Sequence, residues 1–204
     1  MKPYNQYCPV AHALDLVGER WSLLLVRELQ HGPLRYSDLH ERLEGCSTNV
    51  LATRLKDLEA GGVIARRKLP PPAGSSVYEL TEEGAALAPV LASLARWGLR
   101  SLGPPPEDLE TPSGWLEKAL RTTVVAYAPE ARIGFDVSGE HASLDRGSVV
   151  PGLLEDAEAV VTGTPQDLYC LLVEGDIGAA EIEGDRAVVA ELVEALAPGR
   201  PVAP

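Results

Sequence analysis

Over its first hundred positions the chain places apolar residues at helical spacing in short runs, each closed by glycine or proline. Val10 to Val17 predicts a short apolar-rich helix. Trp21 to Leu29 predicts a second, with Trp21, Leu24, Leu25 and Glu28 at helical spacing and Gly32-Pro33 ending it. Tyr36 to Leu43 predicts a third that buries Leu39 and Leu43. Gly45-Cys46-Ser47 reads as a tight turn, and Ser47 is a good N-cap for a fourth helix over Thr48 to Glu59. Gly61-Gly62 stops that helix, because glycine accepts the left-handed C-terminal conformation. Val63 to Leu69 and Ser76 to Leu80 are β-like and flank a loop of prolines, glycine and serine. Thr81 caps a last helix, with Glu82 and Glu83 favourably placed at its positive end. That helix is expected to run to about Leu102, interrupted by Pro89.

Helices, a glycine turn and then a two-stranded hairpin occur in the order of a winged helix-turn-helix domain. The fourth helix can be tested by angle. At roughly 100° per residue, Leu51, Leu55 and Leu58 form one stripe, and Asn49, Thr53 and Lys56 lie opposite. The second set is short, hydrogen-bonding and cationic, which suits base edges in a major groove. A solvated helix face has the same composition. What favours the groove is the conjunction with the neighbouring turn and with the cationic run Arg66-Arg67-Lys68 beside Ser75-Ser76 on the hairpin, where bases can neutralise phosphates and small residues allow close approach.

The second half changes pattern. Gly103-Pro104-Pro105-Pro106 cannot continue a helix, and residues 104–111 read as a proline-rich linker. Beyond it, Gly114 to Leu120 begins an amphipathic helix. Arg132 to Val137 alternates with period two, placing Ile133, Phe135 and Val137 on one sheet face. Ala142 to Gly147 is its expected hairpin partner across Gly139-Glu140. Ala159 to Gly163 is a short buried strand, and Thr164 and Pro165 open a helix as N-cap and first residue. Ala180 to Glu183 is a further strand, and Arg186 to Leu196 a final helix with Val189, Leu192, Val193 and Leu196 on its apolar side. The expected class is α+β: a winged helix-turn-helix domain over 1–103, the linker, and a small α+β domain over 112–204.

Composition alters this picture at one point. The 204 residues are 45% hydrophobic and carry a net charge of −12, which argues against nucleic acid until it is divided. Residues 1–103 hold 12 basic and 11 acidic side chains, a net of +1, whereas residues 104–204 hold 6 and 19, a net of −13. The acidity belongs to the second half and argues against a DNA role there. Cys8, Cys46 and Cys170 lie far apart and make no disulfide framework. The four histidines are scattered, so no metal site is expected. The chain shows no membrane-length apolar run and no signal-peptide pattern after Met1, which points to the cytoplasm. With no activated nucleophile pattern and no phosphate-binding glycine loop, no enzyme and no cofactor is expected.

Tyr7-Cys8-Pro9-Val10, the run Leu14 to Leu29 through Gly18-Glu19-Arg20-Trp21, Gly32-Pro33-Leu34-Arg35-Tyr36, Arg54 to Glu59, Gly62-Val63-Ile64, Tyr78 to Gly84 and Trp97-Gly98 together resemble the HxlR family of bacterial transcriptional regulators. The resemblance covers about residues 4–100. It implies a homodimer that binds double-stranded DNA, with the recognition helix at 48–59 and dimerisation through about 10–17 and 82–100. On it, Arg35 meets phosphate, and Ser47, Thr48, Asn49, Thr53 and Lys56 are the recognition-helix candidates. Arg54 lies nearer the apolar stripe, where packing and pairing with Asp57 or Glu59 explain it equally well. Cys46 stands where the family usually has an aliphatic residue. Cys8 matches a position where several family members sense oxidants; that chemistry needs nearby cations, and only Lys2 and His12 are close in sequence, so an inert thiol is the competing reading.

Asp156 to Gly163, Leu171-Leu172 and Ile182-Glu183-Gly184-Asp185 resemble the sterol-carrier-protein-like fold over about 112–198. That resemblance implies a small sheet with helices on one side and an apolar pocket, with Trp115, Phe135, Leu168, Leu171 and Leu172 as candidate lining; core packing is the alternative for each. The functional expectation is a sequence-specific regulator whose second domain binds an apolar effector. The alternative is a lipid carrier whose helix-turn-helix serves only dimerisation.

Overall fold

The structure is a computed structural model and describes residues 3–30, 32–70, 74–106, 114–124 and 130–196. Residues 107–111 of the expected linker lie outside the described residues, as do Lys2, His31, Pro71, Pro72 and Ala73. The chain divides into two compact units, Met1–Leu91 and Ala92–Pro204.

The first unit begins with α1 (Pro9–Val17), α2 (Ser22–Leu29), β1 (Leu34–Arg35), α3 (Tyr36–Arg42) and α4 (Thr48–Ala60). The hairpin β2 (Ile64–Lys68) and β3 (Ser76–Leu80) follows, then α5 (Glu82–Ala85) and α6 (Ala88–Leu102), within which the division falls. Buried leucines from three helices form one core, Leu25 and Leu29 of α2, Leu39 of α3, and Leu51, Leu55 and Leu58 of α4, joined by Val17 of α1. Cys46 is buried among them as a small apolar residue, and burial pushes its thiol pKa up.

Three details differ from the sequence reading. Trp21 is not in α2 but flanks it in the left-handed region, at φ 80°. That conformation is strained for a bulky residue, and the ring packs against the helical core under the Arg20 guanidinium, 5.5 Å away. The break in the last helix falls at Ala86-Leu87, and Pro89 sits inside the first turn of α6, where no intrahelical donor is required. β1, too short to show a pattern, pairs with β3 at Leu34 to Tyr78 and Arg35 to Val77, giving a three-stranded sheet in the order β1-β3-β2.

The second unit contains α7 (Trp115–Thr123), β4 (Arg132–Val137), β5 (Glu140–Asp145), β6 (Ser148–Pro151), β7 (Ala159–Gly163), α8 (Pro165–Tyr169), a π-helical turn (Cys170–Glu174), β8 (Glu181–Gly184) and α9 (Arg186–Leu196). The sheet order is β6-β5-β4-β7-β8, with β4 and β7 parallel and the other pairs antiparallel. The β4–β5 turn is Ser138-Gly139, one residue earlier than expected, because Val137 pairs with Glu140. Alternation puts Ile133, Phe135, Leu144, Val149, Ala159 and Val161 on one face, where α7, the α8 region and α9 cover them. The Glu140 carboxylate accepts from the Gly114 and Leu116 backbone N–H groups at 3.0 and 3.1 Å, satisfying orphan donors at the start of α7.

Candidate nucleic-acid interface

The core leucines of α4 fix which side of that helix meets solvent. Leu51, Leu55 and Leu58 are at most 2% exposed, and Ser47, Thr48, Asn49, Thr53 and Lys56 are all exposed. Ser47 caps the helix, its hydroxyl oxygen accepting from Val50 N–H at 3.4 Å. Thr53 donates its hydroxyl proton to the Asn49 carbonyl at 2.8 Å, which leaves acceptor lone pairs and a methyl group for an outside partner. The Asn49 side-chain amide has no protein partner among the described residues. Arg54 is half-buried and bonds Asp57 at 2.8 Å and Glu19 at 3.6 Å; the pairing with Glu59 is replaced by one with Glu19. Arg54 thus ties α4 to the α1–α2 loop.

The start of α4 is also tied to α3. The Tyr36 hydroxyl donates to the Thr48 carbonyl at 2.8 Å. Asp38 accepts from the Arg35 N–H at 2.9 Å, and this bond holds the Asp38 carboxyl below its ordinary pKa. A lowered folded-state value means the stabilisation is present above the ordinary carboxylate range and is lost as pH falls through the lowered one. Asp38→Ala is expected to cost about 1 kcal/mol in denaturant unfolding at neutral pH, and an unchanged midpoint would refute the capping role.

Strand alternation splits the cationic run. Arg35, Val77 and Arg67 lie in register across one face of the sheet. On that face Arg67 forks onto Glu79 at 2.9–3.0 Å, and that hydrogen bonding holds the Glu79 carboxyl below the usual range. Arg66 and Lys68 are on the opposite face, in register with Tyr78 and Ser76, and Arg66 lies 5.9 Å from the Tyr78 ring centre. Both are exposed, as is Arg35; Ser75 and Ser76 are half-buried.

Sequence reasoning gave no role to Tyr36. It also missed the function of Glu28, although Glu28 fell on the apolar stripe of α2. Its carboxylate is fully buried and meets Arg27 at 2.8 Å and Arg42 at 3.8 Å, joining α2 to α3. Cys8 is half-buried at the N-cap of α1, where its carbonyl accepts from His12 N–H.

Two helices present open apolar faces: Val10 and Leu14 on α1, and Val90, Leu94 and Trp97 on α6. In the second unit, Phe135, Leu168 and Leu171 belong to the core and Trp115 packs against it. Leu172, partly buried against the same core, also borders an open cleft of about 340 Å³. Among the described residues no cluster of histidine, cysteine and carboxylate side chains could hold a metal, and no helix is long and apolar enough to cross a membrane.

A buried-leucine helix with a polar outer strip, set beside a β-hairpin wing, defines the class: a winged helix-turn-helix transcriptional regulator. Residues 16–105 match the HxlR-like helix-turn-helix family. The chain is 36% identical over 101 residues to the uncharacterized HTH-type transcriptional regulator YvaP of Bacillus subtilis, covering 49% of this chain and 94% of that protein. It is also 36% identical over 94 residues to the HTH-type transcriptional regulator YodB of Bacillus subtilis, covering 46% and 84%. The solved reduced form of YodB is 33% identical and covers 50% of this chain and all of that one, with a TM-score of 0.43. The chain belongs to the HxlR family.

Proposed function

We propose that the protein binds specific duplex DNA as a homodimer and that its second unit holds an apolar effector. The observation that carries the DNA reading is the exposed strip Asn49, Thr53 and Lys56, opposite leucines that cannot turn outward. The open apolar faces of α1 and α6 support pairing with a second copy, since unpartnered apolar patches on soluble proteins mark association sites. The five-stranded sheet with helices on one face supports the sterol-carrier-like reading of the second unit.

Selection of bound sequences from a random duplex pool tests the DNA reading. A two-fold dimer selects a pseudo-palindrome whose half-sites are about one helical turn apart, with affinity falling steeply as salt rises. A protein that retains lipid and enriches no sequence at low salt is the carrier instead. A native mass at twice 21.7 kDa is the expected assembly.

The split wing gives a graded expectation. Arg66→Ala and Lys68→Ala weaken binding to all sequences alike, each lowering the salt slope by about one. Arg67→Ala has the smaller effect, because its guanidinium is engaged by Glu79. Glu79→Gln releases it and raises non-specific affinity. Filter-binding across a salt series measures all four, and an Arg67→Ala loss as large as that of Arg66→Ala contradicts the split.

A further inference from the structure

The loop Gly18-Glu19-Arg20-Trp21 joins α1 to α2 and runs along α4. A Cβ on Gly61, the C-cap of α4, would lie 3.2 Å from Leu16 Cδ2 near the end of α1. Glu19 meets Arg54 at 3.6 Å in the middle of α4. The Trp21 ring reaches the α3–α4 turn, where a Cβ on Gly45 would lie 3.9 Å from its Cη2 atom. From Leu16 to Trp21 the chain thus passes α4 from its C-terminal end towards its N-terminal end. At roughly 100° per residue, Arg54 and Asp57 lie on the flank of α4 between the leucine stripe and the strip of Asn49, Thr53 and Lys56. The loop borders that flank, and Arg20 on it is exposed.

Charge pairing separates the cations of the first unit. Among its described lysines and arginines, Arg27, Arg42, Arg54 and Arg67 each pair with a carboxylate. Arg35, Lys56, Arg66 and Lys68 form no ion pair among the described residues, and all belong to the interface built above. Arg20 is the remaining one. Its guanidinium lies 5.5 Å from the Trp21 ring centre, and the neighbouring Glu19 is engaged by Arg54. Stacking holds a guanidinium in place without using its N–H groups, which stay available for a phosphate fork. Trp21 supplies that platform from a left-handed backbone at φ 80°, a costly conformation that persists only where the surroundings enforce it. A helix seated in a major groove ~12 Å wide has a sugar–phosphate strand on either side. A cation on the helix flank therefore meets phosphate rather than base edges. We propose that Arg20, carried on the Trp21 ring, grips the phosphate strand bordering the recognition helix. The proposal rests on the DNA reading and adds to it a contact outside the helix and the wing.

Filter binding of the full-length protein across a salt series tests it, with a duplex from the random-pool selection and a base-scrambled duplex as probes. Arg20→Ala weakens binding to both by the same factor and lowers the salt slope by about one. Its deficit accordingly shrinks about threefold between roughly 50 and 200 mM salt. Arg20→Lys keeps the charge and the slope, and restores only part of the affinity because an ammonium cannot fork. Base preference stays unchanged in both variants. Ethylating the operator phosphates one at a time locates the contact: one position per half-site blocks the wild type and leaves Arg20→Ala indifferent. A wild-type slope in Arg20→Ala overturns the proposal, and a lowered thermal midpoint alongside it makes Arg20 a packing residue for Trp21. A loss confined to the selected duplex overturns it too, because a phosphate contact carries no sequence information. Failure of the wild type to bind either duplex overturns the DNA reading together with this contact. Wild-type binding that Arg20→Ala leaves untouched removes the contact alone.

Discussion

Asn49→Ala is expected to cost about 1–3 kcal/mol on the preferred operator and to relax the choice of base at one position of each half-site. The Asn49 side chain is exposed near the start of α4, and recognition helices present their N-terminal residues to base edges. A carboxamide offers one acceptor and two donors in a plane, the pattern that matches the N7 and N6 groups of adenine. Truncation to methyl leaves the leucine stripe and the Ser47 cap intact, so folding should be unaffected. Competition binding against operators mutated one base pair at a time separates the outcomes. Equal loss on every operator would make Asn49 a backbone-positioning residue rather than a reader.

Phe135→Ala carries the largest expected effect on stability, about 3–5 kcal/mol of the second unit. The ring is fully buried on β4, with Ala142 opposite on β5 and Val161 opposite on β7. Covered by helices on that face, the site cannot collapse freely, so the lost ring leaves a cavity. Denaturant unfolding measures the change. A loss below about 1 kcal/mol would mean the ring borders solvent or an existing void, which would restore Phe135 to a ligand pocket.

The helices of the first unit were legible because their cores are written as leucines at i, i+4 and i+7, and because Gly, Pro and Ser mark their ends. β1 was invisible: two residues carry no periodicity, and only pairing with β3 makes Leu34-Arg35 a strand. Trp21 was misplaced because spacing counts an apolar residue into a helix whatever its backbone does. The outward strip of α4 could be read by angle alone. The partition of Arg66-Arg67-Lys68 needed the register with β3, since a run of like charges looks continuous until pleating sends alternate side chains to opposite faces. The cleft was not readable. Leu171 and Leu172 are adjacent and equally apolar, and only the three-dimensional packing shows that Leu171 is fully buried while Leu172 also borders the cleft.

The bond from the Tyr36 hydroxyl to the Thr48 carbonyl has a consequence for control. With Arg54 paired to Glu19 at 3.6 Å on the other flank and the Leu51, Leu55 and Leu58 stripe buried, α4 is attached to its scaffold along several lines. Tilting α4 within one copy would have to break these contacts and disturb the leucine core. On the homodimer proposed above, any switching is expected to act through the spacing of the two copies along the duplex rather than through that tilt.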